Sequence, residues 1–169
     1  MSPPTPGISA LVVHWTAVPK QGALDVIAWW NNGAVERQRY GSTHAIADDG
    51  NLYQTVPYDE RAYHVGSEHG YSRFATDRFG AKATSSTGSP NRFCWGIEMC
   101  VENSEGECTP KTWQTTVDWL AMMARTMDMD PFRDVLTHQQ IVGWKQCPKW
   151  LVNHPDELER MRRDVARAL

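Results

Sequence analysis

The stretch FCWGIEMCV, residues 93–101, alternates strictly. Phe93, Trp95, Ile97, Met99 and Val101 share one side, and Cys94, Gly96, Glu98 and Cys100 share the other. A two-residue period is that of a β-strand, here with one strongly apolar face. The other face carries a carboxylate, Glu98. On the N-terminal side, Ile8 to Val13 is a short apolar run rich in β-formers, which predicts a buried strand ending at His14. Ala23 to Asn31 has apolar residues at helical spacing, with Gly33 just beyond as a stop. Two short strands, Ser42 to Ala47 and Leu52 to Val56, flank Asp49-Gly50, a strong hairpin signal. On the C-terminal side, Thr109-Pro110 opens a helix, with a cap followed by proline at the first position. Trp113, Val117, Leu120, Ala121, Ala124 and Met127 continue it. Val135 to Thr137 is a brief strand ending at His138, and Pro155 to Leu169 is a final helix. The order strand, helix, hairpin, strand, helix, strand, helix predicts a single α/β domain, residues 8–169, with a central mixed β-sheet flanked by helices. Residues 1–7 are a Pro-rich flexible arm, and residues 66–91, rich in Gly, Ser, Thr and charge, are expected to form a long loop flanking the cleft.

Composition narrows the function. The chain has 169 residues, which suits one domain with its own core. Net charge is −3, without the basic balance of a nucleic-acid binder. No stretch approaches the roughly 18 apolar residues of a membrane span. The first residues lack a positive n-region, so synthesis in the cytoplasm without a signal peptide is expected. Four Cys in that setting point to metal or free thiols rather than a disulfide framework. Eight Trp are many for this size, and hint at sugar stacking as well as core packing.

Two histidines, His14 and His138, end predicted strands, and Cys147 follows on a loop. Taken singly, each histidine reads as a polar residue satisfied at a strand end. Together with a thiolate they make a zinc-type set, and three protein ligands with an open fourth position describe a catalytic rather than a structural site.

Four ordered segments resemble the zinc-dependent N-acetylmuramoyl-L-alanine amidases, whose fold is shared by phage amidase lysozymes and peptidoglycan recognition proteins. They are LVVHWTAV (11–18), STHAIADDGNLYQTVPYDERAYHVG (42–66), NRFCWGIEMC (91–100) and LTHQQIVGWKQCPKW (136–150). The resemblance implies Zn2+ held by His14, His138 and Cys147. It also implies hydrolysis of the amide between N-acetylmuramic acid and L-alanine in peptidoglycan. Family members carry Cys or Asp at the third ligand position, and recognition proteins that have lost it only bind glycan, so Cys147 argues for an enzyme. Glu98 matches the glutamate of the Gly-Ile-Glu strand and is expected to act as base, against a plain reading as a solvent-facing strand residue. Lys145 matches the lysine that faces the oxyanion, against a solvated loop lysine.

Substrate contacts are expected from Trp15, Thr43, His44, His64 and Trp95, with His64 equally readable as a structural histidine. Trp144 and Trp150 also neighbour the metal-site segments, whereas Trp29, Trp30, Trp113 and Trp119 read as helix-packing residues. Thr43 stands where phage lysozymes and active recognition proteins carry a tyrosine; Tyr40 and Tyr63 are the candidates to replace it. The expected protein is a monomeric phage-type endolysin acting on the cell wall after release, with no nucleic-acid or membrane partner. A cytoplasmic anhydro-muropeptide recycling amidase and a non-catalytic peptidoglycan-binding module are the alternatives.

Overall fold

The computed structural model describes residues 7–34, 42–82 and 88–169. Its strands are β1 (Ala10–Trp15), β2 (Ala45–Asp48), β3 (Asn51–Gln54), β4 (Cys94–Met99) and β5 (Val135–Thr137), in the sheet order β3-β2-β4-β1-β5. The alternating stretch at 93–101 is therefore the middle of the sheet. β4 pairs in parallel with β1 and β2, β1 pairs in parallel with β5, and only β3 runs antiparallel, as the second arm of the hairpin. The hairpin turn places both Asp49 (φ 40) and Gly50 (φ 93) in the left-handed region, the backbone that Asp-Gly tolerates and that matches strand twist.

Among the described residues the α-helices are α1 (Ala23–Trp29), α2 (Arg73–Phe79), α3 (Pro110–Met127), α4 (Pro131–Asp134), α5 (His138–Val142), α6 (Lys149–Asn153) and α7 (Pro155–Ala168). The cap of α3 is as expected: the Thr109 hydroxyl accepts from the Thr112 amide and Pro110 opens the helix. Among the described residues no helix is long and apolar enough to cross a membrane.

One face of β1, β2 and β4 is covered. Leu11 and Val13 of β1, Trp95, Ile97 and Met99 of β4, and Ala45 and Ala47 of β2 pack against α3 and α7. The alternation of β4 thus has its apolar side on this face. The opposite face is covered in two separate pieces. Ala10, Val12, Cys94 and Leu136 meet α2 and α5 at one end. Ile46 and Cys100 meet α1 at the other. Between the two clusters the face is open where β1 and β4 reach their carboxyl ends, the part of an open parallel sheet where ligands bind.

Two expectations are corrected here. Residues 66–91 are not a plain loop: they hold α2 and a 3-10 turn at Pro90–Arg92. α2 is made by local caps, with the Ser72 hydroxyl accepting from the Ala75 amide and Gly80 ending it at φ 61. Tertiary contacts hold it, because the Ser72 hydroxyl donates to the Gln140 carbonyl and Arg78 ion-pairs with buried Asp134. At α1, Gly33 does not stop the helix; it falls within a π-helical turn, Trp30–Ala34, that prolongs it. The expected arm at residues 1–7 lies, but for Gly7, outside the described residues.

Candidate active site

His14 and Glu98 are neighbours across the β1–β4 ladder, in direct register. Both are even-numbered positions on the sheet face that α3 does not cover, so the period-two geometry of two parallel strands sets them side by side. His138 is the first residue of α5. It is held by a capping box in which the Thr137 hydroxyl accepts from the Gln140 amide and the Gln140 side chain accepts from the Thr137 amide. Gly143 ends α5 at φ 86, and the chain then turns back. The Gln139 amide donates to the Cys147 carbonyl, which seats Cys147 beside His138.

The result is a compact donor set. One ligand atom from each of His14, His138 and Cys147 lies within 4.8 Å of the others, and all three residues are buried. His14 Nδ1 is 3.5 Å from Cys147 Sγ. That falls within the roughly 3.3–3.8 Å that separates N and S ligand atoms around tetrahedral zinc. Both ring nitrogens of His138 are buried without a hydrogen-bond partner, as is Oε2 of Glu98. Unpaired buried polar atoms are costly and call for a ligand. Burial holds His14 well below the usual imidazole range, with the charges of His138, His64 and Lys145 adding to the effect. Burial, then Lys145 and His64, brings His138 down to about 2. Neutral imidazoles keep the lone pairs a metal needs. Burial, then Glu98, pushes the Cys147 thiol up to about 12, against the Trp15 backbone and Lys145, so this thiol ionises only when a cation displaces its proton. The residues fit zinc.

His14 and Cys147 of this set floor a cavity of about 400 Å³. Glu98 and His64 share the floor, Lys145 is exposed at the rim, and Trp15 lines one side. Burial raises Glu98 to about 8, with Lys145 opposing, which puts it near the boundary where a carboxyl both accepts and returns a proton at neutral pH. The far wall is the Thr16–Gln21 segment with Val26, Trp29 and Trp30. That segment is pinned to the end of β4 by bonds from the Thr16 amide to the Met99 carbonyl and from the Lys20 amide to the Val101 carbonyl. Ala17 (φ 61) and Lys20 (φ 60) hold left-handed backbone there, a strain of the kind found at ligand clamps. α1 is fixed in turn by the Asp48 carboxylate, which accepts from the Ala23 amide.

Other expected contacts fall elsewhere. Trp95 is 3% exposed and faces α3, since the alternation that turns Glu98 to the cavity turns Trp95 to the core. Thr43 is fully buried, its hydroxyl donating to the Ala45 carbonyl. His44 is buried in a stack on Tyr58. Trp144 packs edge-on to His69 and Trp150 against His154, outside the cavity lining, as is the 66–91 segment expected to flank it. Tyr63 is exposed and does not line the cavity; Tyr40 lies outside the described residues. In their place the wall uses Trp29 and Trp30, whose apolar helical setting masked them as core. After these two tryptophans, Asn91 is a further residue that sequence reasoning missed: its side-chain carbonyl accepts from the His64 and Val65 amides. No local signal marks it. Gly96 is another, and a glycine inside a strand next to a carboxylate is the cue that would have found it. All four cysteines are free thiols.

Comparison with known proteins places the family and the fold. The profile of the N-acetylmuramoyl-L-alanine amidase family matches residues 3–150. The chain is 28% identical over 148 residues to N-acetylmuramoyl-L-alanine amidase BlyA of Bacillus subtilis (strain 168), covering 87% of this chain and 38% of BlyA. It is 31% identical over 113 residues to CwlH of the same organism, an N-acetylmuramoyl-L-alanine amidase, covering 67% of this chain and 37% of CwlH. The chain thus spans under two fifths of the length of either relative. The catalytic domain of XlyA has the same fold, with a TM-score of 0.66 at 22% identity over 94% of this chain and 91% of that one.

Proposed function

Because the chain belongs to the N-acetylmuramoyl-L-alanine amidase family, we propose that it is a zinc hydrolase of bacterial peptidoglycan. It cleaves the amide between N-acetylmuramic acid and the L-alanine of the stem peptide, as a wall-degrading lysin of the phage endolysin type. One observation carries this reading: the donor atoms of His14, His138 and Cys147 lie within 4.8 Å of one another, and His14 and Cys147 line the same cavity as Glu98 and Lys145.

Zinc, when bound, supplies Lewis acidity toward the scissile carbonyl and makes a water molecule acidic near neutral pH. His14 and His138 contribute neutral nitrogen lone pairs and Cys147 a thiolate. Glu98 accepts the proton of the attacking water and returns it to the departing amine of L-alanine. Lys145, at the rim, stabilises negative charge growing on the carbonyl oxygen; losing such a contact typically costs on the order of 3 kcal/mol. Trp15, Trp29 and Trp30 offer ring surface to the glycan or the peptide.

The test combines metal analysis of the purified protein with mass spectrometry of products from peptidoglycan and from soluble anhydro-muropeptide. The expected result is near-stoichiometric zinc and polymer-derived stem peptides with free L-alanine amino termini. Cleavage confined to the soluble substrate would transfer the protein to the recycling reading. Saturable wall binding with every amide intact would make it a binding module and overturn the proposal.

A further inference from the structure

His64 is not one of the three metal donors, yet it touches one of them. Its Nδ1 lies 2.9 Å from His14 Nε2, and its Nε2 lies 3.2 Å from the Cys94 carbonyl. A carbonyl only accepts, so Nε2 of His64 carries the hydrogen. A neutral imidazole has one such hydrogen, which leaves Nδ1 of His64 as a bare acceptor. The hydrogen between the two rings therefore sits on His14 Nε2, and His14 Nδ1, the atom that faces Cys147 Sγ at 3.5 Å, is left with its lone pair free.

His64 is itself held from two sides. Its backbone amide and that of Val65 donate to the Asn91 side-chain carbonyl at 2.9 and 2.8 Å. Beneath the ring is Gly96, where a Cβ would come within 2.5 Å of His64 Nδ1 and 2.6 Å of Cε1, closer than real atoms approach. A side chain at 96 would evict the ring; the glycine of the central strand is there to admit it.

We propose that His64 is a positioning residue of the metal centre: through the Cys94 carbonyl, His64 and His14 in series, it fixes His14 in the Nε2–H tautomer that turns Nδ1 to the metal, and Gly96 makes its seat. The inference rests on the zinc reading above. Partners that orient a metal-binding imidazole typically contribute 10–100-fold in metal affinity.

Two readouts test it without recourse to turnover. Long-range 15N–1H spectra of the metal-free protein report the tautomer of His14, and competition with a chromophoric chelator at fixed pH reports zinc affinity. Wild type should show His14 as the Nε2–H form. His64→Phe should bind zinc 10–100-fold more weakly, with His14 no longer held as one tautomer. His64→Asn sets an amide oxygen close to where Nδ1 stood, and should recover most of the affinity. Gly96→Ala should weaken zinc binding as His64→Phe does, with the metal ligands themselves intact. Wild-type zinc affinity in His64→Phe overturns the inference and leaves the zinc reading standing. If His64→Phe does not fold, the wild-type spectrum decides, and a hydrogen on His14 Nδ1 overturns it. A wild-type protein that takes up no zinc removes the proposed function, and this inference with it.

Discussion

The His44 imidazole accepts the Gly96 amide at Nδ1 and donates from Nε2 to the Glu60 carbonyl. It is 1% exposed. Burial lowers it to about 4, the Glu60 carbonyl opposing, and a second ring proton would meet the Gly96 N–H head on. The unfolded chain takes up that proton near pH 6.5, while the folded chain resists until about pH 4. Stability from His44 is therefore complete above pH 6.5 and lost as the pH falls toward 4, by roughly 3 kcal/mol. Urea unfolding at pH 7.5 and pH 4.5 should show a smaller loss in His44→Asn than in wild type; equal losses would exclude His44 as a source of acid sensitivity. Two further residues separate binding from chemistry. Cys147→Ser should purify without zinc and without amidase activity, by metal analysis and product assay, and a fully active, zinc-loaded Ser variant would refute the ligand assignment. Glu98→Gln keeps the cavity and removes the proposed base, so it should retain zinc yet lose turnover by about 10²–10⁴-fold. The positions of these residues were legible in the sequence because His14, Glu98 and His138 each sit at or near the end of a strand with an unmistakable pattern. His44, Thr43 and Trp95 were misplaced because neighbours along the chain need not share a face: one step along β4 carries a side chain from the cavity to the core.

At the level of elements, periodicity decided well and brevity decided badly. β1, β4, β5, α3 and α7 stand where their patterns put them, because each buries a full stripe or face; the hairpin stands where its Asp-Gly turn puts it, although β3 is largely exposed. The elements that escaped notice are α2, α4, α5 and α6, none longer than seven residues. Helices this short do not form by propensity alone and exist because caps and tertiary contacts hold them. α2 makes the case testable. Arg78 donates to Asp134 and to the Arg133 and Ser9 carbonyls, tying α2 to α4 and to the start of β1. Arg78→Ala removes all three bonds and strips one partner from a buried carboxylate. It should cost about 2 kcal/mol in denaturant unfolding. It should also raise amide exchange in Arg73–Phe79, while zinc content stays that of wild type because α2 does not line the cavity. Unchanged exchange there would mean that the caps alone hold α2.

At the scale of the whole molecule, the donor set joins three parts of the chain: β1, α5, and the loop between α5 and α6. A metal that binds only the folded arrangement stabilises it by mass action, about 4 kcal/mol when free zinc is a thousand times its dissociation constant. Chelator should therefore lower the melting temperature of wild type by several degrees, reversibly on adding zinc, and leave Cys147→Ser unaffected; a wild-type melting point indifferent to chelator would argue against a structural linkage at this site. The sequence by itself determined the α/β class, the strands that carry His14 and Glu98, the helices α3 and α7, and the side chains able to hold a metal, since all of these follow from local periodicity, caps and ligand chemistry. Only the tertiary structure decided that the second sheet face is covered in two pieces with the cavity between them. It alone set Trp29 and Trp30 in the wall, and put His64 behind His14 over a glycine. Those facts depend on which elements far apart in the chain come to lie together. No residue's neighbours along the sequence encode that; it is settled by how the buried faces close against one another.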